Sequence, residues 1–161
     1  MLTPSQLAAV EASLPIVAAN ATAITGRFYD RLFEAYPELR NLFNQGNQLS
    51  GEQKKALAGA VYAYAKNYDR REVLAPLLSR IAHKHASLGV GPEMYSIVGE
   101  HLMAAIGEIL GSNLTADVAD AWRCMYWRFA EDLIAREAVL HAEALLLGVH
   151  QPGAPQDLKM L

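Results

Sequence analysis

Apolar residues recur at intervals of three and four along nearly the whole chain, and the few stretches that alternate are alanine-rich. Side chains three and four apart share one face of a helix, whereas a half-buried strand needs a period of two. The pattern therefore predicts an all-α chain of six to eight helices and no convincing strand. Each helix is half apolar and must cover its stripe with another. With 52% hydrophobic and 19% charged residues in 161, the chain has the material for one domain with a shared core.

Punctuation places the helices. Thr3, Pro4, Ser5 and Gln6 combine a capping hydroxyl, proline at the first helical position and a glutamine three residues after the cap, so a helix starts there. Leu7, Val10 and Leu14 mark its face, and Pro15 bends or disturbs it without ending it. A second helix is predicted from about Asn20 to Ala35, then a short one opened by Pro37, then an irregular loop of Asn, Gln and Gly after Phe43. Further helices are predicted over Glu52 to Lys66, Val73 to Ala86 and Pro92 to Leu110. Thr115 and Asp117 supply the cap and first-turn acid of a last helix reaching Leu147. Residues 1–147 read as one domain, and 148–161, interrupted by Gly and Pro, as a tail or truncated linker.

Charge and cysteine content exclude several classes. Lys and Arg total 14 against 17 acids, for a net charge of −3, and no basic run marks a nucleic-acid groove. The lone Cys124 cannot form an intramolecular disulfide and reads as a small buried side chain. No window approaches the roughly 20 uninterrupted apolar residues of a membrane span, and the first residues lack a basic leader pattern, so a cytoplasmic location is expected.

Three groups of residues stand out chemically. His85 follows Leu74, Leu78 and Ile81 on one helical stripe, which turns its imidazole inward as a hydrogen-bonded core residue or a ligand. His83 lies about 200° away around the same helix, so the two cannot share a metal. Tyr29, Phe43, Gln53 and Leu57 form the second group: two hydrogen-bond donors for a small ligand and two apolar walls, or else ordinary packing and capping. The third is the pair of stripes Tyr95, Val98, Leu102, Ile106 and Trp122, Tyr126, Phe129, Leu133, Leu140. Helical phase brings either Arg136 or Glu137 to the core edge, and a buried Glu137 needs a donor such as Tyr95 or His85.

The segments FYDRLFEAYPELRNLF, IAHKHASLGV and PEMYSIVGEHLMAAI, with Gln53, Leu57 and a last helix carrying Trp122, together resemble the globin family. The likeness is to the globin domain of flavohaemoglobins and to related single-domain bacterial haemoglobins, and it runs from Leu2 to Leu147. The most specific part is KHASLGVGPEMYSIVGEHL, whose spacing from histidine to tyrosine generic helix packing does not demand.

The resemblance implies a globin fold around haem b. His85 is then the proximal iron ligand, Tyr95 and Glu137 its hydrogen-bond partners, Phe43 the aromatic packed on the porphyrin, and Tyr29 and Gln53 the distal donors. Leu57, Val98 and Tyr126 line the pocket. Lys54 stands where relatives often have proline, which bears on the local helix start and on Gln53. A carboxylate on the far ring nitrogen raises the electron donation of the histidine and favours oxygen activation over carriage. A tyrosine hydroxyl stabilises a polarised diatomic ligand by about 1.5–3 kcal/mol.

The resemblance further implies oxygen and nitric oxide as ligands, and conversion of the two to nitrate. No GxGxxG fingerprint is present, so electrons are expected from a separate flavin or ferredoxin reductase, unless the chain is one domain of a longer protein. Oxygen delivery for low-oxygen respiration is the non-enzymatic alternative, and a haem-free helical interaction or sensor module the third. A homodimer through the later helices is compatible with the sequence. Lys84, beside His85, is a solvated lysine or a contact for a haem propionate or a reductase. His101, His141 and His150 show no convergent partners.

Overall fold

The computed structural model describes residues 1–44 and 51–148, with the side chains of residues 43, 44 and 51–54 excepted. Its elements are α1 (Pro4–Ala19), α2 (Ala21–Ala35), α3 (Leu39–Asn44), α4 (Gly51–Lys66), α5 (Arg71–Leu88), α6 (Pro92–Leu110), a 3-10 turn (Gly111–Asn113) and α7 (Ala116–Leu146). Seven α-helices and no strand are present among the described residues, as the apolar spacing predicts. The tail from residue 149 onward lies outside them.

The helix boundaries have local causes. At the start of α1, the Thr3 hydroxyl accepts from the Gln6 backbone N–H while the Gln6 side chain accepts from the Thr3 N–H at 2.9 Å. Two orphan donors are thereby satisfied, and Pro4 has no N–H to orphan. Pro15 sits inside α1 without ending it. The break comes at Asn20, where α1 and α2 meet at 83°. Helix α5 runs two residues beyond its expected limits at each end. Its last turn closes on Gly89, whose φ of 70° lies in the left-handed region that favours glycine.

Helix α7 is the spine: at 1.5 Å per residue its 31 residues extend roughly 46 Å, and α1, α4, α5 and α6 pack on it. Helix α2 lies on α6, and α4 bridges α1 and α2. The largest fully buried side chains come from five helices: Val10, Phe28, Leu32, Tyr64, Leu74, Leu78, Trp122 and Met125. Each contributes about 1.5–3 kcal/mol by leaving water. The indole N–H of Trp122 is not stranded there, because it donates to the Ser13 hydroxyl at 2.9 Å. No described helix is long and apolar enough to cross a membrane by itself.

Candidate functional site

The stripe of α5 delivers His85. Leu74, Leu78 and Ala82 are buried on its inner face. Beyond them, the Val90 N–H donates to the His85 carbonyl at 3.1 Å and the Gly89 N–H to the Ala86 carbonyl at 3.2 Å. This Schellman pattern caps the helix with the histidine in its last turn and fixes its backbone. Pro92, at the first position of α6, then brings Tyr95 back beside it.

Three polar side chains converge at this point. His85 Nδ1 lies 2.8 Å from the Tyr95 hydroxyl and 3.0 Å from Glu137 Oε1, and the Tyr95 hydroxyl donates to the same Oε1 at 2.5 Å. The phenol has one proton and spends it on Glu137, so toward His85 it can only accept. Nδ1 therefore carries the ring hydrogen, and the lone pair is on Nε2, which has no protein partner among the described residues. Burial, reinforced by the hydrogen bond to Glu137 and its charge, pushes the Tyr95 phenol far above its ordinary range, so it remains a donor. The open choice between Arg136 and Glu137 resolves to Glu137, which is only 3% exposed. Its burial is tolerable because two donors meet its oxygen.

Tyr126 holds the arrangement from behind. Its hydroxyl donates to the Tyr95 backbone carbonyl at 2.6 Å, tying the first turn of α6 to α7. The ring lies so close to Gly99 that a Cβ there would meet Cε1 at 2.5 Å. Glycine at that position is what lets the ring pass.

Beside the triad lies a cavity of about 330 Å³ walled mainly by apolar side chains. Tyr29, Leu57, His85, Tyr95, Val98 and Tyr126 all line it. Tyr29 is 6% exposed, packs edge-on against Phe28 at 4.8 Å, and is held protonated by burial. Phe43, Gln53 and Lys54 fall outside the described side chains.

Residues absent from the sequence-derived site also line the cavity, among them Phe28, Phe129, Leu133 and Met94. Phe129 and Leu133 belong to a stripe visible in the sequence, but spacing does not say which part of a stripe faces a void. Arg80 and Lys84 line it as well, one turn apart on α5, both exposed and neither ion-paired among the described residues. Two cations i, i+4 beside an inward histidine were the available signal for Arg80.

His83 points elsewhere, its Nδ1 bonded to the Ser79 carbonyl at 2.8 Å. His101 is buried, edge-on to Tyr36 at 5.8 Å, with Nδ1 unpartnered among the described residues. Cys124 is half-buried rather than buried, and accepts from the Gln6 side-chain amide at 3.2 Å.

No cluster of three or more His, Cys, Asp or Glu forms a metal cage among the described residues. One imidazole nitrogen aimed at an apolar cavity with cations at its margin suits a flat apolar ligand that brings its own metal and anionic edge groups. The residues thus fit a haem-type group.

The family model for globins matches residues 26–133. The chain belongs to the globin family. It is 50% identical over 144 residues to a flavohemoprotein of Bordetella parapertussis and 49% identical over 141 residues to one of Rhizobium meliloti. These alignments cover 89% and 88% of this globin but only 36% and 35% of those proteins.

Among solved structures, a bacterial globin from Campylobacter jejuni matches with a TM-score of 0.80 at 36% identity, covering 87% of this chain and 99% of that one. The flavohemoglobin of Malassezia yamatoensis, solved with bound FAD and heme, matches with a TM-score of 0.81 at 35% identity, covering 88% of this chain and 38% of that one. An engineered carbene transferase from a Rhodothermus marinus protein proposed to be a nitric oxide dioxygenase matches at 0.82 and 34% identity, covering 90% and 99%.

Proposed function

We propose that residues 1–147 hold haem b through His85 Nε2, bind oxygen and nitric oxide, and support dioxygenation of nitric oxide to nitrate. The observation that carries this reading is the hydrogen-bonded set of His85, Tyr95 and Glu137 at the edge of the cavity. Haem, when bound, supplies an iron that takes up oxygen and exchanges single electrons, so that nitric oxide, dioxygen and one electron become nitrate.

The chain's own groups supply the rest. Glu137 and Tyr95 keep the hydrogen on Nδ1, which fixes the tautomer and turns the Nε2 lone pair toward the cavity. The shared Glu137 oxygen makes the imidazole a stronger electron donor than a histidine bonded to a neutral carbonyl, which favours activation over simple carriage. Tyr29 keeps its proton and can donate it in a hydrogen bond to a polarised diatomic ligand. Arg80 and Lys84 receive anionic edge groups at the margin, and the apolar walls keep water out.

Electrons come from a flavin or ferredoxin reductase, and the working location is the cytoplasm. The test is nitric oxide consumption with nitrate formation by the haem-loaded chain, with and without a flavin reductase. Reductase-dependent nitrate formation, weakened in Tyr29→Phe, is expected. Reversible oxygen binding with no nitrate would overturn dioxygenation and leave oxygen delivery.

A further inference from the structure

Among the described side chains that wall the main cavity, Met94 alone carries sulfur. It stands in the first turn of α6, directly before Tyr95, and its N–H donates to the Gly91 carbonyl at 3.1 Å. Only 8% of the residue is exposed, so a reagent reaches its thioether through the cavity rather than from bulk solvent. The other described methionines are placed differently. Met1 is fully exposed, Met103 is half-buried, Met125 is 1% exposed, and none of the three lines this cavity.

The competing groups in the same wall are poorly disposed to react with an electrophilic oxygen. Burial holds the phenols of Tyr29 and Tyr126 above their ordinary range, so neither is a phenolate at neutral pH. The Tyr95 hydroxyl is engaged with Glu137 at 2.5 Å, and His85 Nδ1 lies within hydrogen-bond distance of both. A thioether needs no deprotonation, because its polarizable sulfur attacks directly. The cavity margin at Arg80 and Lys84 is exposed, which gives a small neutral oxidant a way in.

We infer that Met94 is a sacrificial oxidation site for hydroperoxides in the main cavity, spending its sulfur before His85 and Tyr95 are damaged. In the step, the Sδ lone pair attacks one oxygen of hydrogen peroxide. The S–O bond forms as the O–O bond breaks, and the departing hydroxide takes the proton left on the transferred oxygen. One peroxide becomes one water and the thioether becomes a sulfoxide, with the two electrons supplied by sulfur and no other reductant involved. Methionine sulfoxide is reducible by the reductases specific to it, so the site is renewable. The site itself rests on the cavity alone. That it guards a working protein rests on the proposed haem, whose oxygen chemistry is the source of peroxide beside it.

The experiment adds hydrogen peroxide stepwise to the chain, with and without haem, and reads peptide masses after each step. In both forms Met94 should gain one oxygen atom before Met103 and Met125, with Met1 as the gauge of peroxide in solution. Met94→Leu removes the sulfur at nearly constant volume. At equal peroxide, the haem-loaded variant should carry about tenfold more oxidised His85 and Tyr95 than the wild type, equal to a barrier difference of ~1.4 kcal/mol between sulfur and the next group. Should Met94→Leu fail to fold by circular dichroism, Met94→Ile removes the same sulfur.

Met94 left intact while Met103 or Met125 is oxidised, in either form, overturns the oxidation site. Oxidation of His85 and Tyr95 that is no greater in the variant overturns the guarding role. A chain that oxidises first at Met94 but takes up no haem refutes the proposed function and leaves the oxidation site standing.

Discussion

Two glycines on α6 should respond in opposite directions to the same substitution. Gly107→Ala adds a methyl group with nothing within 4 Å, so helix propensity decides and the chain gains about 1 kcal/mol. Gly99→Ala receives the same gain but places its Cβ 2.5 Å from Tyr126 Cε1 and 3.0 Å from Cδ1. The ring is 7% exposed and its hydroxyl is committed to the Tyr95 carbonyl at 2.6 Å, so it cannot swing away freely. Overpacking costs about 2 kcal/mol, and the strained or broken hydrogen bond about 1. Subtracting the propensity gain of about 1 leaves a net loss of about 2 kcal/mol.

For a domain of this size that loss lowers Tm by about 4–8 °C, while Gly107→Ala raises it by about 2–4 °C. Thermal melts followed by helix circular dichroism measure both. Equal stability for the two variants, or a stabilised Gly99→Ala, would refute the claim that ring contact decides the sign at Gly99.

Further predictions follow the same physics. Tyr64→Phe removes the 2.6 Å bond to Asp132 but leaves that carboxylate with Arg71 and Arg128, so urea unfolding should show a loss of about 1.5 kcal/mol and no more. Glu137→Ala leaves the Tyr95 hydroxyl and the His85 Nδ1 hydrogen short of an acceptor, and the same assay should read a loss of about 1–3 kcal/mol.

Gly89→Ala forces a Cβ into the left-handed region at φ 70°, costing about 1–2 kcal/mol, and should fray the α5 terminus, read as faster hydrogen exchange at Val90. Burial holds the phenols of Tyr29, Tyr64 and Tyr126 above their ordinary range. Stability should be level in their titration until pH about 10, where the unfolded phenols begin to release protons that the folded ones retain. Above that it should fall by about 1.4 kcal/mol per pH unit for each tyrosine. Urea midpoints between pH 9 and 11, checked against phenolate absorbance, would show that slope or its absence.

Much of the fold was legible because helical propensity, caps and apolar spacing all agree in this chain. Thr3 with Gln6, Thr115, Pro4 and Pro92 each mark a boundary by a local rule, and the structure follows them, whereas α3 starts at Leu39, two residues past Pro37. Within the site, His85 was readable from its own stripe, whereas Glu137 was one of two residues that helical phase allowed. Spacing resolves about 100° per residue, too coarse to separate neighbours. Contact with Tyr95 on another helix decides between them.

The burial of His101 was not legible, since it depends on Tyr36 closing over α6 from the end of α2. Arg80 carried only the weak signal of its i, i+4 spacing to Lys84, and its place at the cavity is a product of helix packing.

The most direct test of the central claim is the absorption spectrum of the chain after haem addition, recorded ferric, reduced and with carbon monoxide, beside His85→Ala. The account predicts a Soret band that shifts among the three states in the wild type and loses its histidine-ligated form in the variant, with helical content unchanged. A wild-type chain that stays colourless, or a variant whose spectra match it in all three states, would contradict ligation by His85.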